Sequence, residues 1–171
     1  MAIKQSQRGF TLLIAVIFMS VMLAFGLALS SLAYKQITLA STATDSQYAF
    51  YAADSALECA LYYDQQQQSF DYASHPSGTP PGPVTCNNQL TANPSYTPPD
   101  GTKAITTYRM QIDANRCADV TIYKYANPTS VTSNSITRTV TTYMFAQGYS
   151  VACSAVGTNP RMTARGEDIY Y

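Results

Sequence analysis

The feature that most constrains this chain is a long apolar segment near its N-terminal end. No charged side chain occurs between Arg8 and Lys35, and the residues from Phe10 to Ala33 are all apolar or small. About 24 residues of helix at ~1.5 Å each extend over roughly 36 Å. That length is enough to cross a hydrocarbon layer of roughly 30 Å. Since the core helix of a small soluble domain normally carries a polar face, the segment predicts a membrane-spanning helix.

The charges around this segment predict its orientation. Lys4 and Arg8 precede it, and the first acidic residue of the chain is Asp45. Basic residues stay on the cytoplasmic side of a membrane helix, so we expect the C-terminal part of the chain to lie outside. A plain membrane anchor fits this pattern. A cleaved secretory signal is a second interpretation, although the apolar core of such a signal usually has about 7–15 residues.

A third interpretation comes from the residues at the start of the apolar run. Gly9, Phe10, Thr11 and Leu12 follow the basic, polar stretch MAIKQSQR. This arrangement resembles the signal of type IV prepilins and pseudopilins, whose consensus is Gly-Phe-Thr-Leu-Ile-Glu. The resemblance implies that residues 1–9 are a leader, and that prepilin peptidase cuts between Gly9 and Phe10. Phe10 would then be N-methylated and the apolar helix retained. The four residues gain weight from their position before a charge-free run.

A second match lies further along the chain. The stretch 47–58 reads QYAFYAADSALE, which is similar to the Ala-Glu-Ser-Gly-Ile-Glu stretch of minor pilins of the PilX kind. Asp54 and Ala56 stand where those pilins have Glu and Gly, and alanine has the higher helix propensity. The two matches together cover about the first third of the chain.

One departure from the family pattern concerns position 14. The family commonly has glutamate at the fifth residue after the cut, and this chain has Ile14 there. In a filament that carboxylate is thought to pair with the positive N-terminus of a neighbouring subunit, because an unpaired buried charge is costly. The resemblance therefore implies a minor subunit, at the tip or in an initiation complex, rather than a major pilin.

The sequence and the resemblance together predict an α+β fold of the pilin lollipop type. Residues 10–34 would form the membrane-spanning and filament-core helix, and residues 35–63 its exposed half. Within that half, a stripe of residues three or four apart is expected to pack on the C-terminal domain: Leu39, Ala43, Ser46, Phe50, Ala53, Leu57 and Leu61. A variable loop rich in Pro and Gly would occupy residues 64–102. Alternating apolar and polar residues predict an antiparallel sheet of about four strands over residues 103–171.

Four cysteines lie outside the apolar segment, at positions 59, 86, 117 and 153. None belongs to a Cys-x-x-Cys pair and His75 is the single histidine, so a metal site is not expected. An exported head favours disulfides, and three connectivities are open. We favour Cys59–Cys86 and Cys117–Cys153, with free buried thiols as the alternative.

The residues give little support for catalysis. No nucleophile-elbow pattern and no phosphate-binding glycine loop occurs, so we expect no enzymatic activity and no cofactor. The expected partners are other pilins, prepilin peptidase, the inner-membrane assembly platform and the lipid bilayer. The expected location is the inner membrane and then a surface filament. Two alternatives stay open: a pilus-borne adhesin or DNA-binding module, and a plain single-pass anchored extracellular protein. The net charge of zero argues against nucleic acid as a partner.

Overall fold

A computed structural model of the protein describes residues 6–71, 81–86, 89–90, 94–97, 100–133 and 135–171. The chain divides into a first compact unit that ends at Ala43 and a second from Thr44 to Tyr171. One helix, α1 (Ser6–Gln67), accounts for the described part of the first unit and continues into the second. Helix was predicted to about Tyr63 and extends four residues further. It ends where Gln68 adopts a left-handed backbone with φ of 50°.

The second unit contains two antiparallel sheets among its described residues. The smaller sheet pairs β1 (Thr85–Cys86) with β2 (Gln89–Leu90). The larger has the order β3-β4-β5-β6-β7, and its strands are β3 (Ser95–Thr97), β4 (Lys103–Asp113), β5 (Arg116–Ser133), β6 (Ile136–Tyr149) and β7 (Ala164–Tyr170). A short 3-10 helix, Cys153–Ala155, lies between β6 and β7. The α+β class and the antiparallel sheet are therefore confirmed, with five strands instead of about four.

The additional strand comes from the stretch that was predicted to be a loop. β1, β2 and β3 all lie within residues 64–102. Each is only two or three residues long, which agrees with the density of Pro and Gly around them. The edge strand β3 pairs with β4 through Ser95, Tyr96 and Thr97.

The helical part of the second unit packs on one face of the larger sheet through small side chains. The buried residues on this part of α1 include Ala49, Ala52, Ala53, Ala56 and Ala60, all at 0% exposure. Alanine side chains allow the helix backbone to approach the sheet closely. The predicted stripe was correct for Ala53 and Leu57 but wrong for Phe50, which is 44% exposed. The side chains of α1 that face the sheet are mainly alanines instead.

Gly148 on β6 shows how close this approach is. A Cβ atom at this position would overlap the backbone of Ala49 and Ala53. Glycine is therefore the only residue that fits between β6 and α1 without a shift of backbone.

The core fills the remaining space between the helix and the sheet. Its largest fully buried side chains include Leu57 from α1, Met110 from β4, Ile122 from β5 and Met144 from β6. Phe70, which follows the helix, stacks on Tyr108 with ring centroids 6.2 Å apart. The alternation predicted for β4 is correct, because Tyr108 and Met110 are buried. The opposite face of the sheet is not covered by α1 and carries Thr and aromatic residues.

Candidate functional site

The residues predicted at the processing position lie in α1. Gly9 and Phe10 are both helical, and the Phe10 side chain is 67% exposed. Ile14, at the position where the resembling family has glutamate, is 50% exposed. The predicted leader extends over residues 1–9, and residues 1–5 lie outside the described part of the chain.

The apolar segment of α1 presents its large side chains outward on every side. From Phe10 to Leu32, the exposed fractions of the exposed large hydrophobic residues range from 45% at Val21 to 73% at Met19. Two of its hydroxyls are satisfied within the helix, since Ser20 donates to the Ile17 carbonyl and Ser31 to the Ala28 carbonyl, both at 2.8 Å. In length and composition the helix is sufficient to cross a membrane. An apolar surface of this extent is compatible with a membrane anchor.

Both disulfides lie in the second unit and join elements that are distant in sequence. Cys59 on α1 is bonded to Cys86 on β1, with Cα atoms 6.2 Å apart. Cys117 on β5 is bonded to Cys153 in the 3-10 helix, with Cα atoms 4.8 Å apart. This is the connectivity favoured from the sequence. The first bond fastens β1 to the helix, and the second fastens the β6–β7 connection to the sheet.

A buried ionic cluster, which the sequence analysis did not find, lies near the end of α1. The Asp64 side chain is 2% exposed and accepts from Lys124 Nζ on β5 at 2.6 Å. Lys124 also donates to Thr142 Oγ1 on β6 at 2.9 Å, and the Tyr171 hydroxyl donates to Asp64 Oδ2. Burial and the Asp64 carboxylate both raise the pKa of the Tyr171 phenol. The cluster connects the helix end with three parts of the sheet.

A second polar arrangement lies on the outer face of the sheet, away from α1. Arg109 on β4 forms a bidentate ion pair with Asp119 on β5, with Nε–Oδ1 and Nη2–Oδ2 distances of 2.7 Å. The Tyr149 hydroxyl on β6 donates to Asp119 Oδ2 at 3.1 Å. Hydrogen bonding to Asp119 raises the pKa of Arg109, and burial together with Asp119 raises that of Tyr149. The guanidinium and the carboxylate are therefore held in one geometry beside a groove.

Several carboxylates lie near Glu167 on β7. Burial raises the pKa of Glu167 on β7, and Asp54, Asp168 and Glu58 raise it further.

Among the described residues, no group of three or more His, Cys, Asp or Glu side chains has the arrangement of a metal site. His75, which the sequence analysis assigned no role, lies outside the described residues.

Comparison with known proteins gave no relative. No family model, no curated protein and no solved structure matches this chain. The resemblance to prepilins therefore rests on the residues around Gly9 and on the stretch 47–58.

The candidate residues fall into two groups that the structure keeps within separate units. Gly9, Phe10 and Ile14 belong to the apolar segment of the first unit. The four cysteines belong to the second unit and are joined in pairs. The first group lies in the apolar segment, and the second joins elements within the second unit.

Proposed function

We propose that the protein is a structural minor subunit of a type IV pilus or of a pseudopilus like that of type II secretion. It is processed between Gly9 and Phe10 and is assembled through its N-terminal helix. The observation that carries this proposal is the sequence Gly-Phe-Thr-Leu at the start of a charge-free helical segment whose side chains are exposed on every side.

The exposed apolar surface supports two successive environments for the helix. Before assembly, the segment from Phe10 to Ala33 lies in the inner membrane with the basic residues Lys4 and Arg8 in the cytoplasm. During assembly, lipid is exchanged for the helices of other subunits. Without a difference in hydrophobicity between lipid and helix, such packing depends on close contact and on polar pairing.

The disulfides support a location of the second unit outside the cytoplasm. Disulfides persist in oxidising compartments and are rare in the cytosol. Two bonds, Cys59–Cys86 and Cys117–Cys153, account for all four cysteines of the chain. This agrees with the orientation that the basic N-terminal residues favour.

A pair of glycine variants tests processing and assembly. In cells with a prepilin peptidase and a filament system, we expect Gly9→Leu to abolish cleavage, because a leucine side chain obstructs the approach of the backbone to the protease. The variant then stays in the membrane and is missing from sheared filaments. Gly82→Leu is the matched control, since nothing lies within 4 Å of a Cβ atom at Gly82 and this residue lies outside the helix proposed to assemble. Filaments that contain Gly9→Leu at the wild-type amount would contradict the proposal.

The isoleucine at position 14 supports the proposal that the protein is a minor subunit. An isoleucine cannot pair with the charged N-terminus of a neighbour, so each copy within a filament shaft leaves that charge without its usual partner. We predict that Ile14→Glu raises the ratio of this subunit to the major subunit in sheared filaments, and that the uncharged Ile14→Gln does not. Quantitative mass spectrometry measures both ratios. A wild-type protein as abundant as the major subunit would refute the minor position.

A plain anchored extracellular protein is the second candidate, because the apolar helix alone is sufficient as an anchor. The two candidates differ in the fate of the bond between Gly9 and Phe10. Only the filament subunit requires its cleavage.

A further inference from the structure

The outer face of the larger sheet contains a groove of about 460 Å³. This volume lies within the range of roughly 300–1,000 Å³ typical of small-molecule sites. Its lining comes mainly from two neighbouring rows across β4, β5 and β6, and includes Thr107, Arg109, Asp119, Thr121, Phe145 and Gln147. The strand register places Thr107, Thr121 and Phe145 in one row and Arg109, Asp119 and Gln147 in the next.

The charged groups of the groove are neutralised and held in place. Arg109 and Asp119 are joined by two hydrogen bonds of 2.7 Å, and the hydroxyl of Tyr149, which is 7% exposed, donates to the same carboxylate. The groove therefore offers donors and acceptors in a fixed geometry without a net charge. A charged ligand would have to compete with the existing pair between Arg109 and Asp119.

The apolar part of the groove is the aromatic ring of Phe145, which lies close to Gly166 on β7. Phe145 is 36% exposed, and its ring atoms lie 2.9 Å from where a Cβ atom of Gly166 on β7 would be. Because Gly166 has no side chain, the ring can lie close to the backbone of β7 while Phe145 stays partly exposed. The next row continues the aromatic surface with Tyr123 and Tyr143, whose ring centroids are 5.7 Å apart.

These groups suit a particular class of ligand. A sugar ring has an apolar C–H face that packs on an aromatic ring, and an edge of hydroxyls that both donate and accept hydrogen bonds. The threonine hydroxyls, the glutamine amide and the paired charges supply complementary partners. We propose that this groove binds a neutral oligosaccharide, with Phe145 as the platform for one sugar ring and the surface formed by Tyr123 and Tyr143 supporting the next.

The site is independent of the filament proposal, because its lining belongs entirely to the second unit. Saturation-transfer difference NMR on the full chain provides a direct test. The chain is held in a detergent without a sugar headgroup. The probes are maltohexaose, cellohexaose and N-acetylglucosamine tetramer, each at millimolar concentration, with a heparin fragment and a twelve-residue thymidine strand as anionic comparisons. We expect transfer from aromatic protons to the C–H protons of at least one neutral probe, and none to the anionic probes.

Two variants locate the binding in the groove. Phe145→Leu retains an apolar cover for Gly166 but removes the flat ring, and Gln147→Ala removes one hydrogen-bonding group. We expect each to weaken binding by about tenfold or more, equivalent to ~1.4 kcal/mol. Tyr62→Ala is the control, because it truncates an aromatic residue that is 56% exposed on α1. Thermal unfolding checks that all three variants are folded.

Three results would overturn the proposal. The first is the absence of transfer to every neutral probe. The second is binding that Phe145→Leu and Gln147→Ala leave unchanged. The third is transfer to the anionic probes alone, which would assign the face to a nucleic acid or another polyanion.

Discussion

Replacement of Gly148 by alanine tests the packing of the helix on the sheet. The added methyl group would overlap the backbone of Ala49 and Ala53 in α1. Neither neighbour is the flexible end of a side chain, so the overlap can be relieved only if the helix moves away from β6. Such a movement would separate the buried alanines from the sheet along several turns.

The structure allows the size of the effect to be worked out. Inserting a methyl group into a packed core usually costs about 1–3 kcal/mol. Because only backbone atoms can move to accommodate the methyl group, we expect a loss of stability at the upper end of this range, ~3 kcal/mol. Unfolding entropy is about 2.1 cal/mol/K per residue, so the roughly 128 residues from Thr44 to Tyr171 give ~0.27 kcal/mol/K. The corresponding fall in Tm is about 11 °C.

Thermal unfolding of the oxidised full chain in detergent, followed by near-UV circular dichroism, measures this shift. Gly82→Ala is a matched control, because a Cβ atom at Gly82 would have open space around it; we expect its Tm within about 3 °C of the wild type. Gly166→Ala should be intermediate, since the methyl group there meets the ring of Phe145, which can rotate away. A Gly148→Ala protein whose Tm matches that of Gly82→Ala would refute the close approach of α1 to β6.

The remaining predictions concern the covalent and polar groups of the second unit. Replacement of both Cys117 and Cys153 by alanine removes the disulfide that spans 36 residues of sequence and leaves Cys59–Cys86 in place. We expect it to lower the free energy of unfolding by ~4 kcal/mol; denaturant titration without a reductant measures this, and an unchanged midpoint would contradict it. Lys124→Met should lower the free energy of unfolding by about 3 kcal/mol, because it leaves the Asp64 carboxylate buried without its cation. Adding Asp64→Asn to this variant should recover part of the loss. A Lys124→Met protein as stable as the wild type would show that the ion pair is not formed. Tyr108→Phe should raise stability by about 1 kcal/mol, because the Tyr108 hydroxyl is buried without a hydrogen-bond partner among the described residues. Burial also raises the pKa of Tyr108 above its ordinary value of 10.0, so the wild-type stability should fall as the pH rises above about 10, and Tyr108→Phe should reduce that slope in unfolding curves recorded from pH 9 to 11.

Much of the helix and part of the sheet could be predicted from local patterns. The length and hydropathy of the charge-free run from Phe10 to Ala33 predict a helix, and the structure confirms it. The alternation through Tyr108 and Met110 predicts a strand with one buried face, and the structure confirms it. These features depend on residues that are close in sequence, so periodicity alone was sufficient to find them.

The face of α1 that packs on the sheet could not be predicted so well. The larger residue Phe50 was expected in the core, and the smaller Ala49 occupies that place. The choice depends on Gly148, which is far away in sequence and allows the helix backbone to approach β6. Helical periodicity does not contain this information, because it ranks side chains by hydrophobicity and not by the space available opposite them.

The polar groups of the second unit depend on strand register in the same way. Asp64 meets Lys124 because the helix end lies over β5, and Arg109 meets Asp119 because β4 and β5 place them directly opposite each other. In the sequence these are ordinary charged residues. The short strand β3 was missed for a different reason, since the prolines around Ser95 and Thr97 indicate a loop even where a few residues pair with a neighbouring strand.

The central claim is that the chain is a processed filament subunit, and the mass of the mature N-terminus tests it most directly. The protein should be extracted from membranes of cells with an active prepilin peptidase and analysed by intact mass and N-terminal peptide mass spectrometry. The proposal predicts a chain that begins at Phe10 and carries one methyl group on its amino nitrogen. A chain that still contains Gly9 and the residues before it would contradict the proposal and leave a plain anchored protein.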